Sequence, residues 1–524
     1  MMPSRHIVPL AWRWTLTALV AGIALNLLPA RALASGATEA APVVRTELGA
    51  ARGLRRPDGT LVWYNLPYAA PPVGELRWRP PQPAQPWRGI RDARAPGFAC
   101  AQDPRDGKLP VPAGASEDCL YLNVWSRDPR PRARQPVMLW IHGGFFRVGS
   151  GADPAFDGSA LARAGVVLVA INYRLDRFGR FAHPALSAAQ AGEPLGNYAL
   201  MDQVAALQWV KRNIARFGGD PDRVTIFGCS AGGVSVDFLM ATPAARGLFQ
   251  RGIAQSGSIV PEGERDLRRA NARFPSLEQD GLDVARHFGI PEDAQTLARL
   301  RALSAAQLLS YPQKDSSMNP VVDGVLGPED PARAFAAGRQ APVPFLSGAT
   351  TWEASLIRPF KLPFAAVLAG VPRGDVEATY GLADEQQLKE RYFGDSVFLV
   401  SAYWLAGQMT RVGQPGFVYE YAYVNDVQRG TNPGAYHCSD VPRTFGTEWR
   451  GETASARDRE TGELLRRYWT QFAKTGDPNG PGLPEWPRHS LEAPALLEIG
   501  DTVEARHDPY PARMALQRRR FASP

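Results

Sequence analysis

Lysine is scarce in this chain. Six of its 524 residues are lysine, so nearly all of the positive charge is arginine, scattered among acids rather than gathered in one stretch. Nucleic-acid binding calls for such a basic patch, and no nucleic-acid partner is expected. Histidine, with seven, and cysteine, with four, are also few, and none stands at the spacing of a zinc site. Neither a metal nor another cofactor is expected. No internal repeat and no sustained block of like charge occurs, which argues against a repeat array or a charged tail. After Leu28 no segment approaches the ~20 apolar residues that span a bilayer. No Gly/Ser-rich or Pro-rich linker is long enough to divide the chain. Pro80-Pro81-Gln82-Pro83 reads as an ordered surface connection, because structured motifs follow it closely. A hydrophobic content of 44% suits an ordinary globular core.

The N-terminus is different in kind. Arg5 and Arg13 give a positive start, residues 14–28 form an apolar run of 15, and Ala32-Leu33-Ala34 has the A-x-A form of a cleavage site. The run is too short for a span. Residues 1–34 read as a signal peptide, and residues 35–524 as one soluble domain, secreted or periplasmic, with no stable membrane span. Export places it where disulfides persist. Loss of the three arginines of the signal takes the formal charge from +7 to +4.

Gly228-Cys229-Ser230-Ala231-Gly232 has the form G-x-S-x-G. Five small residues recur by chance, so the flanks decide what this means. Val224-Thr225-Ile226-Phe227 reads as a buried strand, and residues 231–240 can run as a helix, so Ser230 falls on a sharp strand-to-helix turn. Such a turn strains the serine backbone, needs glycine where a Cβ would collide, and presents Oγ at a helix N-terminus, where backbone amides meet an oxyanion. That implies a serine hydrolase. Further strands are expected at residues 137–141 and 166–172, a helix at residues 202–217, and an N-terminal β region opening at Trp63, Tyr64, Leu66 and Tyr68. Strands alternating with helices predict an α/β fold, with a mostly parallel sheet covered on both faces.

Longer motifs are more specific. They are Gly196-Asn197-Tyr198-Ala199-Leu200-Met201-Asp202-Gln203, the stretch from Leu207-Gln208-Trp209 to Arg223-Val224-Thr225, Glu117-Asp118-Cys119-Leu120-Tyr121-Leu122-Asn123-Val124-Trp125, and Trp140-Ile141-His142-Gly143-Gly144. Together they resemble the type-B carboxylesterase family, the cholinesterase-like branch of the α/β-hydrolases, from about residue 43 to the C-terminus. The resemblance implies an α/β-hydrolase fold with an N-terminal antiparallel β region, and hydrolysis of small-molecule esters.

The resemblance also implies a site. Gly434-Ala435-Tyr436-His437, followed by Asp440 and Phe445-Gly446, is similar to the family's histidine loop, with His437 as general base for Ser230. Gly348-Ala349-Thr350-Thr351-Trp352-Glu353-Ala354 is similar to the acid loop, with Glu353 orienting the imidazole; the usual Asp before this Glu is Trp352 here. Asp440 and Asp323 are the rival acids. The implied oxyanion donors are the amides of Gly144, Phe145 and Ala231. Phe145 replaces a third glycine and would narrow the acyl side of the pocket, against bulky or tertiary substrates. Phe146, Arg147, Trp352 and Tyr436 are pocket candidates, with core packing the alternative for both Phe145 and Phe146. Arg147 and Arg358 suit a carboxylate-bearing substrate unless nearby acids pair with them. His183, His287, His489 and His507 lie in no motif.

Cys100 and Cys119 match the family's first disulfide, worth about 3 kcal/mol by chain entropy. Cys229 and Cys438 adjoin Ser230 and His437, and the family usually has Glu at the first position. If serine and histidine meet, their neighbours fall within the ~4.4–6.8 Å Cα range of a disulfide. The pair is similar to the Cys-Ser and His-Cys pair of tannases and fungal feruloyl esterases; two small buried thiols are the alternative. Against the hydrolase stands a binding protein on the same fold, like the cholinesterase-like adhesion molecules that lack catalytic residues. Within enzymes, an amidase, a thioesterase and an esterase for multiply charged natural esters remain open.

Overall fold

Runs of Val, Leu and Ile without polar alternation belong in strands covered on both faces. The computed structural model describes residues 42–522 except 104–112, 260–264, 272–273, 313–318, 328, 369 and 449–452. The expected signal peptide, residues 1–34, lies outside the described residues. Such apolar runs form the middle of an 11-stranded sheet. In chain order its strands are β1 (Leu54–Arg55), β2 (Leu61–Pro67), β3 (Tyr121–Ser126), β4 (Gln135–Ile141), β5 (Val167–Ile171), β6 (Gly219–Cys229), β7 (Arg251–Gln255), β8 (Phe345–Thr350), β9 (Gly416–Tyr421), β10 (Ala495–Ile499) and β11 (Val503–His507). Their spatial order is β11-β10-β9-β8-β7-β6-β4-β5-β3-β2-β1. Strands β4 to β10 pair in parallel, and the remaining pairings at either end are antiparallel. This is the α/β-hydrolase architecture with an N-terminal antiparallel region.

The helices that matter for the site are α1 (Tyr198–Asn213), α2 (Ala231–Ala241), α3 (Glu385–Gly394), α4 (Val400–Gln408), α5 (Asp440–Phe445), α6 (Ala456–Thr475) and α7 (Pro511–Ala522). Because successive strand residues point to opposite faces, β4 sends Val137, Leu139 and Ile141 into one core, with residues of α1, α2 and α4. It sends Met138 and Trp140 into a second core, with residues of α5 and α6. Both faces of the sheet are thereby covered.

Strand order carries the functional consequence. β4 lies between β5 and β6, so the chain crosses over β4 after β5. In open α/β sheets ligands bind beyond the carboxyl ends of the strands at such a switch point. The strand ends there are level: Gly228 pairs with Ile141, Cys229 with Gln255, Gln255 with Gly348, and Thr350 with Tyr421. The register persists into the loops. Ser230 N–H donates to Gln255 C=O at 2.9 Å, Ser256 N–H to Gly348 C=O at 2.8 Å, and Thr351 N–H to Tyr421 C=O at 2.9 Å.

Boundaries differ from the sequence reading in places. The helix expected at residues 202–217 starts at Tyr198 and ends at Asn213, and a 3₁₀ turn, Ile214–Phe217, continues it. The strand expected at residues 224–227 runs from Gly219 to Cys229, with a register shift between Gly219 and Val224 that accommodates Pro221. Pairing with β4 overrides local propensity there. The Pro80–Pro83 stretch forms no strand or helix but is tied down, with Ala70 N–H donating to Gln82 C=O at 2.8 Å.

Helix α2 buries an unusual group. Asp237 is 1% exposed, and neither carboxyl oxygen has a hydrogen-bond partner among the described residues. Burial pushes its carboxyl well above the ordinary range. The folded chain keeps this proton while the unfolded chain releases it above about pH 4, so the group costs progressively more stability as pH rises from there towards its folded-state value. Asp237→Asn is expected to melt close to wild type at pH 4 and above it at pH 8. A melting-temperature difference that does not widen with pH, followed by calorimetry across that range, contradicts this.

Candidate active site

The turn at Ser230 is built by close packing. Ser230 joins β6 to α2 with φ 59° and ψ −124°, a conformation L-residues rarely adopt. A Cβ on Gly232 would lie 2.0 Å from Ile141 C=O, and one on Gly228 would lie 2.6 Å from it. Only glycine lets the elbow lie this close to the end of β4. The serine is half-buried at the N-terminus of α2, where the helix presents unsatisfied amides.

The loop after β4 lies directly against this turn. A Cβ on Gly143 would sit 2.7 Å from Cys229 C=O and 3.1 Å from Ser230 Cβ. Gly144, Phe145 and Phe146 follow at φ 113°, 58° and 57°, three consecutive left-handed residues of which two carry side chains. Val148 N–H donates to Gly144 C=O at 3.0 Å, and Asp176 N–H to Phe146 C=O at 2.7 Å, so both ends of the strained stretch are tied. Such residues cost about 1–3 kcal/mol each and persist only where surroundings over-determine them. His142 stacks on Tyr173 at 4.4 Å, and burial pushes its pKa down to about 4, so it stays neutral and structural.

Glu353 follows β8 in a short 3₁₀ turn and is 1% exposed. Its Oε1 accepts from Thr350 N–H at 2.7 Å and from Ser256 Oγ at 2.6 Å, and its Oε2 meets His437 Nδ1. His437 arrives on the loop after β9. Its backbone N–H donates to Ser355 Oγ at 2.9 Å, and its ring packs at 5.2 Å from that of Phe398. The acid and histidine loops are stitched one residue earlier, where Trp352 N–H donates to Ala435 C=O at 2.8 Å and Trp352 bridges Tyr436. A disulfide joins Cys229 to Cys438 across a Cα separation of 6.2 Å, linking the residue before Ser230 to the residue after His437. A second joins Cys100 to Cys119.

The rival acids are engaged elsewhere. Asp440 Oδ2 accepts from Gln255 Nε2 at 2.8 Å and from the Tyr419 hydroxyl at 2.7 Å, and burial raises its pKa. Asp323 accepts from Asn197 Nδ2 at 2.8 Å and from the Val325 and Gly327 amides at 2.9 Å. Of the pocket candidates, Phe146 is 2% exposed and packs in the main core with its ring 6.0 Å from that of Tyr173, the packing alternative. Phe145 and Tyr436 are half-buried at the site. Arg147 lies 3.7 Å from Asp176. Trp352 Nε1 donates to Glu390 at 2.7 Å, and its ring lies under Arg358, which also pairs with Glu390 at 3.2 Å. His489 is buried between the carbonyls of Ala495 and Tyr403.

Sequence reading missed Ser256, Thr350, Ser355 and Phe398. Ser256 and Thr350 sit at the ends of adjacent parallel strands, a place where functional groups gather, but Ser256 lies in no motif and Thr350, though inside the acid-loop motif, carries no signal of its own role. Phe398 comes from a helix 45 positions after Glu353 and carries no local signal.

A model of the carboxylesterase family matches residues 40–369 and 378–517. Carboxylesterase 1C of Rattus norvegicus is 34% identical over 487 residues, covering 84% of this chain and 86% of that protein. Fumonisin B1 esterase of Sphingopyxis macrogoltabida is 33% identical over 484 residues, covering 88% and 87%. The solved structure of a PNB esterase superposes with a TM-score of 0.77 at 31% identity, covering 91% of this chain and 99% of that one.

The Cys229–Cys438 bridge closes a loop of 209 residues, for which chain entropy gives about 5 kcal/mol of stabilisation, less any strain. Replacing both cysteines by Ala is expected to lower the melting temperature beyond the loss from two buried side chains. Peptide mapping of the unreduced, alkylated protein checks the premise: both residues recovered as alkylated thiols refutes the bridge.

Proposed function

Because the chain belongs to the carboxylesterase family, we propose that it hydrolyses carboxylic esters through an acyl-enzyme on Ser230, with His437 as general base and Glu353 as the acid that orients it. The observation that carries this reading is the Glu353–His437 contact, in a loop covalently joined to the residue before Ser230. Ser230 Oγ attacks the ester carbonyl carbon while His437 Nε2 takes its proton. The carbonyl oxygen becomes an oxyanion, met by the amides of Gly144, Phe145 and Ala231; each such donor is worth roughly 3–4 kcal/mol. The C–O bond to the alcohol breaks as the imidazolium returns the proton to the departing oxygen. Water then repeats the sequence on the acyl-enzyme, releasing the carboxylic acid and restoring Ser230.

Glu353 fits its role by environment. Two donors hold Oε1, which leaves Oε2 for Nδ1 and fixes the tautomer that exposes Nε2 as acceptor. Phe145 keeps its backbone amide, so its side chain costs no donor, and the ring narrows the acyl side. Acids already stand beside both Arg147 and Arg358, so neither guanidinium is an unopposed cation for a carboxylate-bearing ester. The basic, apolar leader of residues 1–34 supports export to the periplasm or medium. An adhesion role on this fold would not require the serine, histidine and glutamate together.

Ser230→Ala is expected to abolish hydrolysis while leaving the melting temperature nearly unchanged, with a loss on the ~10⁴–10⁶ scale of a missing nucleophile. An organophosphonate is expected to label Ser230 stoichiometrically; labelling elsewhere overturns the mechanism. Glu353→Gln keeps the shape but reverses the logic of the hydrogen bond to Nδ1, and kcat is expected to fall by about 10⁴-fold. Asp440→Asn is expected to affect stability more than rate. The opposite order of the two kcat losses reassigns the acid.

A further inference from the structure

The base of this site rests against a helix that changes its winding. Between α3 and α4 the residues Asp395–Leu399 form a π-turn, in which Val400 N–H donates to Asp395 C=O, five residues back. One extra residue in a turn rotates everything after it by about 100° relative to a continuous α-helix. The rotation moves the helix from one core to another. Before it, Leu388 and Tyr392 pack with Phe364, Val376 and Leu516. From the end of the turn onward, Phe398, Leu399 and Val400 pack into the main core under the sheet.

The π-turn and the residue before it lie against Glu353 and His437. A Cβ on Gly394, just before it, would lie 3.6 Å from Glu353 Cβ. Phe398, 4% exposed, sets its ring 5.2 Å from the His437 imidazole, tilted by 53°. The turn is anchored from the far side. Asp395 is 2% exposed, and its two oxygens accept from Arg513 Nε and Nη2 at 2.6 Å each. The Tyr380 hydroxyl donates to it at 2.8 Å. Arg513 belongs to α7 and lies 4.0 Å over the Tyr510 ring, and the Tyr510 hydroxyl donates to Glu420 at 2.6 Å. A buried, bidentate carboxylate–guanidinium pair fixes direction as well as distance.

We propose that the π-turn, clamped to the C-terminal helix through Asp395–Arg513, is the device that positions His437, with Phe398 as the positioning residue in contact with the imidazole. The proposal rests on His437 being the base. An imidazole held at Nδ1 by Glu353 can still swing about that bond. A ring packed against it removes the swing and keeps Nε2 aimed at the nucleophile turn.

The test uses the full chain and a p-nitrophenyl ester. Wild type must hydrolyse it and Ser230→Ala must not; failure there sinks the triad reading and leaves the π-turn out of account. Phe398→Leu, which keeps an apolar side chain and disturbs no charge, is expected to lower kcat about tenfold or more, since 1 Å of misplacement costs about 100-fold. KM is expected to stay within about twofold, and the rate of phosphonate labelling of Ser230 to fall in parallel with kcat. Arg513→Gln is expected to act in the same direction, and Arg94→Gln, which breaks an exposed pair with Asp92 in the N-terminal region, to leave kcat at the wild-type value. A raised KM with kcat unchanged in Phe398→Leu overturns the proposal and makes Phe398 a pocket wall. Wild-type kinetics in that variant overturn it outright. Should Arg513→Gln fail to fold, Phe398→Leu still decides.

Discussion

A carboxylate at 1% exposure is costly unless its oxygens are satisfied, and Glu353 sets the demand that its surroundings meet. The Thr350 amide, the Ser256 hydroxyl and the His437 imidazole come from the ends of three neighbouring strands or the loops that leave them. They reach one carboxylate only because β7, β8 and β9 are parallel and end level. A register slip of one residue would turn strand side chains to the opposite face and take Ser256 and His437 away from Glu353, leaving it only the local Thr350 amide. Correct strand alignment and a fully formed Glu353–His437 contact therefore go together.

Strain gathers at the same edge. Phe145, Phe146, Ser230, Ser256 and Cys438 all carry side chains at positive φ, and all lie in loops leaving β4, β6, β7 or β9. Such backbone is tolerated where packing on both sides leaves no alternative. Here the two sheet cores supply the packing, and the Cys229–Cys438 bridge ties the loop after β9 to the end of β6. The loops keep the flexibility of sequence that chemistry needs while their geometry is set by the sheet beneath them.

The sequence by itself determined the elements whose cause is local. The β-branched run over residues 224–227, the small residues around Ser230 and the apolar stretch at residues 137–141 dictate strand, elbow and strand, because propensity and close approach act over a few residues. The two cysteines beside Ser230 and His437 suggested a bridge once the resemblance brought serine and histidine together, and the structure contains it. Tertiary structure decided the rest. Glu353 and Asp440 are equally acidic in the sequence, and only the fold turns one to the imidazole and the other to Gln255 and Tyr419. Phe146 and Phe145 are adjacent, yet one is buried in the core and the other only half-buried. Ser256 and Phe398 reach Glu353 and His437 through strand register and a π-turn, contacts across 97 and 39 positions of chain. Local sequence carries no record of such pairings, because their free energy arises only when distant segments are brought together.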